Sequence, residues 1–422
     1  MNKINEEYTV TIIGGGPAGM MAAGRAAEAL KEKGITNAKV ILLEKNPTLG
    51  VKLLITGGGR SNITNAQYDV RTFLKKYKDN DKFLFSAFSQ YDVEKSINFF
   101  NDEGMPTKVE AENRVFPVSN SAQSVWDVLV NKMKRGGVEI KTNAVVTGFE
   151  KDGNKIISVK LKNGEKIHAK KYIVATGGTS RPETGSTGEG FVWLKDLGHN
   201  IVASSEALVP IALSDSWVKT LSGVTLQDIK LTTFQNNTKQ ESHKGKLLFT
   251  HFGISGPTVL NMSSDVGELL KYGEVEIKLD LLPSLDHGMM NSRLQELFKI
   301  DDKKKIKNSL GSFIPSSLVS TVLSLAKIDE EKINNAISRE ERMKLIEIIK
   351  GVPMNVSNLL GSDKAVVSSG GVDLTEVDFK TMQSKIIENL YIVGDVLNID
   401  RPSGGYSLQL CWTTGWVAGT NI

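Results

Sequence analysis

The chain has 422 residues, 40% of them apolar and 24% charged, enough core for two or three domains of an ordinary soluble protein. Lys and Arg number 52 against 48 Asp and Glu, and this net charge of +4 is too even to argue for a nucleic-acid partner. The single cysteine, Cys411, excludes an internal disulfide and a multi-cysteine metal site; no metal is expected, and one lone thiol fits a reducing cytoplasm.

The uncharged run from Tyr8 to Gly24 does not read as a signal peptide. Three glycines and a proline break it, and Glu6 and Glu7 stand where positive charge belongs. No other run is long enough to span a bilayer, so no membrane is expected.

In that first stretch Val10, Ile12 and Ile13 predict a buried strand. Gly14, Gly16 and Gly19 then fill a G-x-G-x-x-G pattern, an Ala-rich helix follows, and a second strand, Val40–Leu43, ends on Glu44. This is the start of a βαβ dinucleotide fold. Gly14 allows the tight turn, Gly16 lets backbone approach a pyrophosphate, and Gly19 lets the helix lie close on the sheet. Pro17 suits the helix start, whose free N–H groups carry about half a positive charge toward the phosphates. Glu44 can accept both hydroxyls of an adenosine ribose and repels a 2′-phosphate, which points to FAD or NAD rather than NADP as the bound nucleotide.

Thr56-Gly-Gly-Gly-Arg-Ser-Asn-Ile-Thr-Asn65 is rich in donors and free of bulk, suited to a pyrophosphate or a flat ring. Residues 71–104 read as helices, with Phe73, Leu74, Phe83, Phe85 and Phe88 as core. Val109–Pro117 reads as a hairpin carrying Arg114 on its surface. Ser124–Arg135 is an amphipathic helix closed by Gly136-Gly137. Val138–Thr142, Ala144–Lys151, Ile156–Leu161 and Lys166–Ala169 read as strands, with a turn at Asn163-Gly164. Lys171–Gly178 is a strand running into small residues that could lie against the cofactor. Gly185-Ser-Thr-Gly-Glu-Gly190 opens a helix ending at Gly198-His199.

From about residue 200 the pattern changes. Ile201–Leu213, Val224–Phe234, Lys246–Phe249 and Val275–Leu281 read as strands of an inserted β-rich domain, with Pro257 starting a helix. Asp286–Lys350 reads as helical, and Asp301–Lys307 as a solvated charged turn. Dinucleotide features return in Lys364–Val372, in the strand Asn389–Asp395 and in Pro402-Ser-Gly-Gly-Tyr-Ser-Leu-Gln409, which opens a last helix through Gly419. Both chain ends therefore build the first domain. With no second G-x-G-x-x-G between residues 190 and 350, a separate nicotinamide domain is not expected.

Together, I-I-G-G-G-P-A-G, K-L-L-I-T-G-G-G-R-S-N-I-T-N, T-G-S-T-G-E-G, T-H-F-G-I-S-G-P and V-G-D…G-G-Y-S-L-Q resemble the two-dinucleotide-binding flavoproteins, in particular the family of aminoacetone oxidase and 3-dehydro-bile-acid reductase. The resemblance implies a discontinuous Rossmann-like α/β FAD domain over 1–198 and 358–422. It implies a β-barrel-like insertion over 199–283 and 351–357, and a helical cap over 284–350. It also implies non-covalent FAD held by Gly14, Gly16, Ala18, Gly19, Glu44, Lys45 and Lys52, by Gly58, Gly59, Arg60, Ser61 and Asn62, by Val146, Thr176 and Gly177, and by Gly394, Asp395, Gly404, Gly405, Tyr406 and Ser407. Asp395 would bind the ribityl chain. The helix opening at Gly404-Gly405 would favour negative charge on the reduced flavin. One departure is Ser61, where the family usually has Cys.

FAD supplies the electron chemistry in such proteins and the protein supplies orientation and protons. The leading expectation is a reductase passing hydride from flavin N5 to an activated C=C or C=O of a small, steroid-like or bile-acid-like molecule, with NADH or NADPH as a transient donor. The rivals are an amine oxidase using O₂ and an FAD-binding protein without turnover. Tyr406 is the first candidate acid and His251 the second, with Arg60 or Arg401 as carbonyl polarisers. Cys411, inside an apolar helix, reads as core.

Overall fold

The computed structural model describes residues 7–202, 208–270, 272–360 and 370–422. The chain folds as two compact units, Met1–Ser205 with Val366–Ile422, and Glu206–Ala365.

The first unit is organised by five parallel strands. β1 (Tyr8–Ile13), β2 (Val40–Leu43), β3 (Glu139–Lys141), β4 (Ala169–Val174) and β5 (Leu390–Ile392) lie in the order β5-β4-β1-β2-β3. The central strands are continuous apolar runs because both sheet faces are covered; Val10, Ile12, Ile41, Leu42, Ile173 and Val174 are at most 0% exposed. Two helices cover the sheet where the nucleotide turn lies, α1 (Pro17–Glu32) after β1 and, at the chain's end, a long helix Tyr406–Thr420, labelled α3 because α2 (Glu189–Asp196) precedes it.

α1 and α3 touch through residues with little or no side chain. A Cβ on Gly415 would lie 2.5 Å from the Ala18 carbonyl oxygen, and one on Gly419 2.7 Å from that of Ala22. The helices are therefore parallel. Gly415 is the tenth residue of α3 while Ala18 is the second of α1, so α3 starts about 12 Å ahead of α1 at ~1.5 Å of rise per residue. That stagger sets the spacing of the two helix N-termini.

The remaining elements brace this frame. Val146–Asp152, Lys155–Leu161 and Lys166–Ile167 form the antiparallel meander expected after the Ser121-capped helix Ala122–Arg135. Thr107–Val109 and Arg114–Pro117 form the hairpin, and Arg114 pairs with Glu112 there. In the helix Asp81–Gln90, Leu84 and Phe88 are buried but Phe85 is 48% exposed, contrary to its assignment to the core. A ten-residue helix buries one stripe, and Phe85 falls off it.

The second unit is a closed six-stranded barrel of Ile211–Leu213, Gly253–Ser255, Thr238–Phe249, Thr225–Gln235, Val275–Asp280 and Val352–Leu359. The helices between His287 and Lys350, read as a domain of their own, bury Leu294, Leu318 and Leu345 in the same core as the barrel's Ile277 and Leu279. Two strand expectations change. Ile201–Leu213 is not one strand: Ile201–Val202 pairs with Gly371–Val372 in the first unit, Ile211–Leu213 joins the barrel, and residues 203–207 lie outside the described residues. The strand before Phe249 starts at Thr238, not Lys246, because its polar half is held by pairing with Thr225–Gln235 rather than by apolar alternation. Most of Lys364–Val372 also lies outside the described residues.

One buried polar relay makes folding pH-dependent. His199 Nδ1 is 3.0 Å from Glu376 Oε2 and its Nε2 is 3.0 Å from Ser384 Oγ. The serine oxygen already accepts the N–H groups of Ile386 and Ile387. It therefore donates to Nε2, which leaves the ring neutral with its proton on Nδ1. Burial lowers the His199 pKa below 6.5 against the opposing pull of Glu376. The unfolded chain then binds a proton the folded one refuses. Unfolding free energy should hold above pH ~6.5 and fall as the pH drops below it; urea titrations from pH 7.5 to 5 check this, and His199→Gln should flatten that slope.

Candidate functional site

The nucleotide turn is built by three glycines with three distinct tasks. Gly14 has φ +106°, and a Cβ there would meet the Ala175 carbonyl oxygen at 2.5 Å. A Cβ on Gly19 would sit 1.9 Å from the Gly14 carbonyl oxygen, so the helix can begin this close to the strand only without a side chain. Gly16, at the N-cap of α1, has φ −77° and nothing within 4 Å of its Cβ position. Only Gly16 is thus free of an internal reason to be glycine, and it faces open space at the positive end of a helix.

Glu44 follows directly on β2, beside this turn. It is 8% exposed; Oε2 accepts the Gly15 N–H and Oε1 the Asn46 N–H, both at 2.8 Å. A carboxylate has about four lone-pair sites, so two remain for ribose hydroxyls. A cleft of about 430 Å³, open to solvent, is lined here by Gly14, Glu44, Lys45, Val146, Thr176 and Trp193. Lys45 Nζ spans it to Glu189 Oε2 at 2.6 Å and donates to Thr187 Oγ1 at 2.8 Å. Thr176 Oγ1 is buried with no partner, and a Cβ on Gly190 would lie 2.0 Å from it. Gly177, at φ +73°, turns the chain beside Ser186. Ala18 is a packing residue in this structure, with its methyl 2.9 Å from a Cβ built on Gly394.

The second half of the site lies where the Thr56–Asn65 loop meets the start of α3. Gly57, Gly58 and Gly59 have φ of +56°, +68° and +84°. With its amide turned so that oxygen meets donors, Asn62 accepts the Gly405 N–H at 3.0 Å and donates to the Thr64 carbonyl at 2.9 Å. A Cβ on Gly405 would sit 2.4 Å from the Thr64 backbone, which fixes glycine at the N-cap of α3. Thr64 Oγ1 donates to Gln409 Oε1 at 2.6 Å, a buried tie that the sequence pattern did not single out. Ser61 has φ +59°, no exposure, and a buried hydroxyl without a partner. Asp395, just past β5, forms an ion pair with Arg401 and lies 3.6 Å from Lys52 Nζ. Burial opposes its charge, but Arg401 and then Lys52 prevail and hold the carboxyl below the usual range.

The candidate catalytic groups fare differently. Tyr406 opens α3 at 7% exposure, with its ring 4.8 Å from Phe73 and 6.1 Å from Tyr77, whose hydroxyl donates to the Tyr406 carbonyl at 2.8 Å. Burial raises its pKa, so it keeps its proton at neutral pH. Arg60 is engaged by Glu110 at 2.5 Å and Asn120 at 2.6 Å and lies over the Phe116 ring at 4.1 Å. His251 belongs to the second unit, on an exposed turn with its ring 4.9 Å from that of Phe252. The first unit therefore gathers Tyr406 with the flavin-end loops and does not include His251. Cys411 is buried, and burial, reinforced by Asp395, pushes its thiol up to about 12. Among the described residues, Glu241, His243 and Asp265 bring candidate ligand atoms within 4.8 Å of one another; all three belong to the second unit and none to the nucleotide turn.

The model of the HI0933-like protein Rossmann domain matches residues 8–421. The chain belongs to this family. Its members are FAD-dependent oxidoreductases, and the turn, acid and two glycine-opened helices fit FAD: Gly16 leaves space where a pyrophosphate would lie, and Thr176 offers an unpartnered hydroxyl in the cleft. Similar curated proteins include the ribosomal RNA dihydrouridine synthase of Escherichia coli, 28% identical over 99% of this chain and 98% of that one. Another is the 3-dehydro-bile acid delta(4,6)-reductase of Clostridium scindens, 27% identical over 97% and 98%. The 3-ketosteroid-delta4-(5alpha)-dehydrogenase of Rhodococcus jostii shares the fold, with a TM-score of 0.53 at 14% identity over 100% of this chain and 98% of that one. Among the described residues of this family member no helix is long and apolar enough to cross a membrane.

The glycines separate binding from folding. Gly16→Val should leave the stability of the apo-protein within ~0.5 kcal/mol, as for a surface change, yet weaken FAD about a hundredfold or more, ~2.8 kcal/mol. Gly19→Val should prevent folding. Apo-protein denaturation and FAD fluorescence titration measure both.

Proposed function

We propose that this chain is an FAD-dependent reductase that saturates a C=C bond conjugated to a carbonyl, with NADH or NADPH as a transient electron donor. What carries the reading is a chemical feature common to two relatives matched over nearly their whole length. A delta(4,6)-reductase of a 3-dehydro compound removes double bonds conjugated to a ketone. A dihydrouridine synthase removes the ring double bond of uracil, which is also conjugated to a carbonyl. The carriers differ and the reacting unit is the same.

Bound FAD would supply the hydride transfer; this chain's residues would bind, orient and protonate. Gly16, Glu44 and Thr176 would hold the nucleotide half, and Asn62, Asp395 and the first turn of α3 the flavin half. The N–H groups at that turn favour negative charge on whatever lies against them. Tyr406, protonated at neutral pH and walled by Phe73 and Tyr77, would deliver the proton from its phenol. Arg60, committed to Glu110 and Asn120, supports the loop instead of a substrate carbonyl.

The near-even charge favours a small uncharged enone as the carrier. The dihydrouridine synthase relatives favour a second carrier, a uridine in ribosomal RNA. Anaerobic stopped flow separates the readings. Reduced nicotinamide should bleach the flavin within the instrument's range, and a cyclic enone should restore the colour. Restoration by ribosomal RNA alone, with uridine gaining two hydrogens by mass spectrometry, supports the second carrier. Bleaching by amines, with peroxide on aeration and no response to either alkene, contradicts both. Tyr406→Phe should keep FAD and slow reoxidation by the alkene by about 10²–10⁴-fold; an unchanged rate removes Tyr406 from the acid role.

A further inference from the structure

Arg401 reads in the sequence as a possible carbonyl polariser, and its geometry rules that out. Its guanidinium is 0% exposed, and its three nitrogens go to three parts of the flavin end. One pairs with Asp395, one donates to the Ile399 carbonyl at 2.6 Å, and Nε donates to Ser407 Oγ, in the first turn of α3, at 3.1 Å. Arg401 therefore clamps the segment after β5 to the start of α3. Buried and so engaged, it presents no exposed face to a substrate.

The charges do not cancel. Lys52 Nζ, 3.6 Å from Asp395 and 2.5 Å from Ser180 Oγ, is a second cation on the same carboxylate. Two cations and one anion leave one positive charge, with side-chain exposures of 0% for Arg401, 24% for Lys52 and 15% for Asp395. A largely dry, unmatched charge is costly unless an anion approaches it. The neighbouring α3 N-terminus adds to the same sign. A flavin that gains two electrons and one proton gains one negative charge, which is the complement.

We propose that Arg401 is the positioning residue of the flavin end: it locks Asp395 and the first turn of α3 into one ledge and, with Lys52, makes that ledge bind reduced flavin more tightly than oxidised flavin. This rests on FAD as the bound nucleotide and not on the choice of alkene. Tighter binding of the reduced form is, by linkage, a raised reduction potential.

The test compares wild-type protein with R401Q and R401K, each reconstituted with FAD, by fluorescence titration and by dye-equilibrated potentiometry. R401Q should weaken oxidised FAD about tenfold. It should also narrow the preference for the reduced form by about tenfold, a fall of ~30 mV for a two-electron couple. Removing one partner of a buried pair can unfold a protein, so R401K is measured beside it. R401K keeps the charge and loses the planar fork; it should hold the wild-type potential and still bind FAD about tenfold more weakly. A folded R401Q with wild-type affinity and potential overturns the proposal, and so does R401K with wild-type affinity. Wild-type protein that binds no FAD overturns the cofactor reading itself, a distinct result.

Discussion

The close approach of α1 and α3 is the constraint on which the site depends. The two helices come from opposite ends of the chain, and each follows a strand of the same sheet. They meet at Ala18 and Ala22 against Gly415 and Gly419, where any side chain on the glycines would strike a backbone oxygen. Interiors packed to this density do not yield to an added methyl. Because the helices run parallel, both positive ends face the same way. Because they are offset, those ends stand about 12 Å apart along the axis. An extended dinucleotide can use one end for its phosphates and the other for its redox ring.

The loops that complete each end are pinned to this pair as well as to each other. Gly14 and Glu44 brace the start of α1 through the Ala175 backbone and the Gly15 N–H. Asn62, Thr64 and Arg401 brace the start of α3 through Gly405, Gln409 and Ser407. The buried polar groups here are mostly satisfied within the protein. Thr176 Oγ1 and Ser61 Oγ are two buried hydroxyls without partners there, each of which a ligand atom could satisfy.

Much of this was legible in the sequence, for identifiable reasons. The turn around Gly14–Gly19 was readable because phosphate binding demands glycine at fixed offsets, and the parallel strands because a sheet covered on both faces needs unbroken apolar runs. Local patterns carry less information about groups that meet across long separations. Lys45 reaches Glu189, Thr64 reaches Gln409, and neither pair has a spacing that announces it. Arg401 sits before a proline in a loop and reads as a carbonyl polariser; only the fold makes it a buried clamp. Thr238–Ser242 escaped for the opposite reason, since a polar strand held by pairing has no apolar alternation to detect.

The central claim is that two parallel, staggered helix N-termini, one from each end of the chain, grip a single dinucleotide. A crystal structure of the FAD-loaded protein tests it most directly. The account predicts the pyrophosphate over Gly16 at the start of α1 and the pyrimidine edge of the flavin against Gly404–Gly405 at the start of α3. A nucleotide bound with either helix start left facing solvent would contradict it.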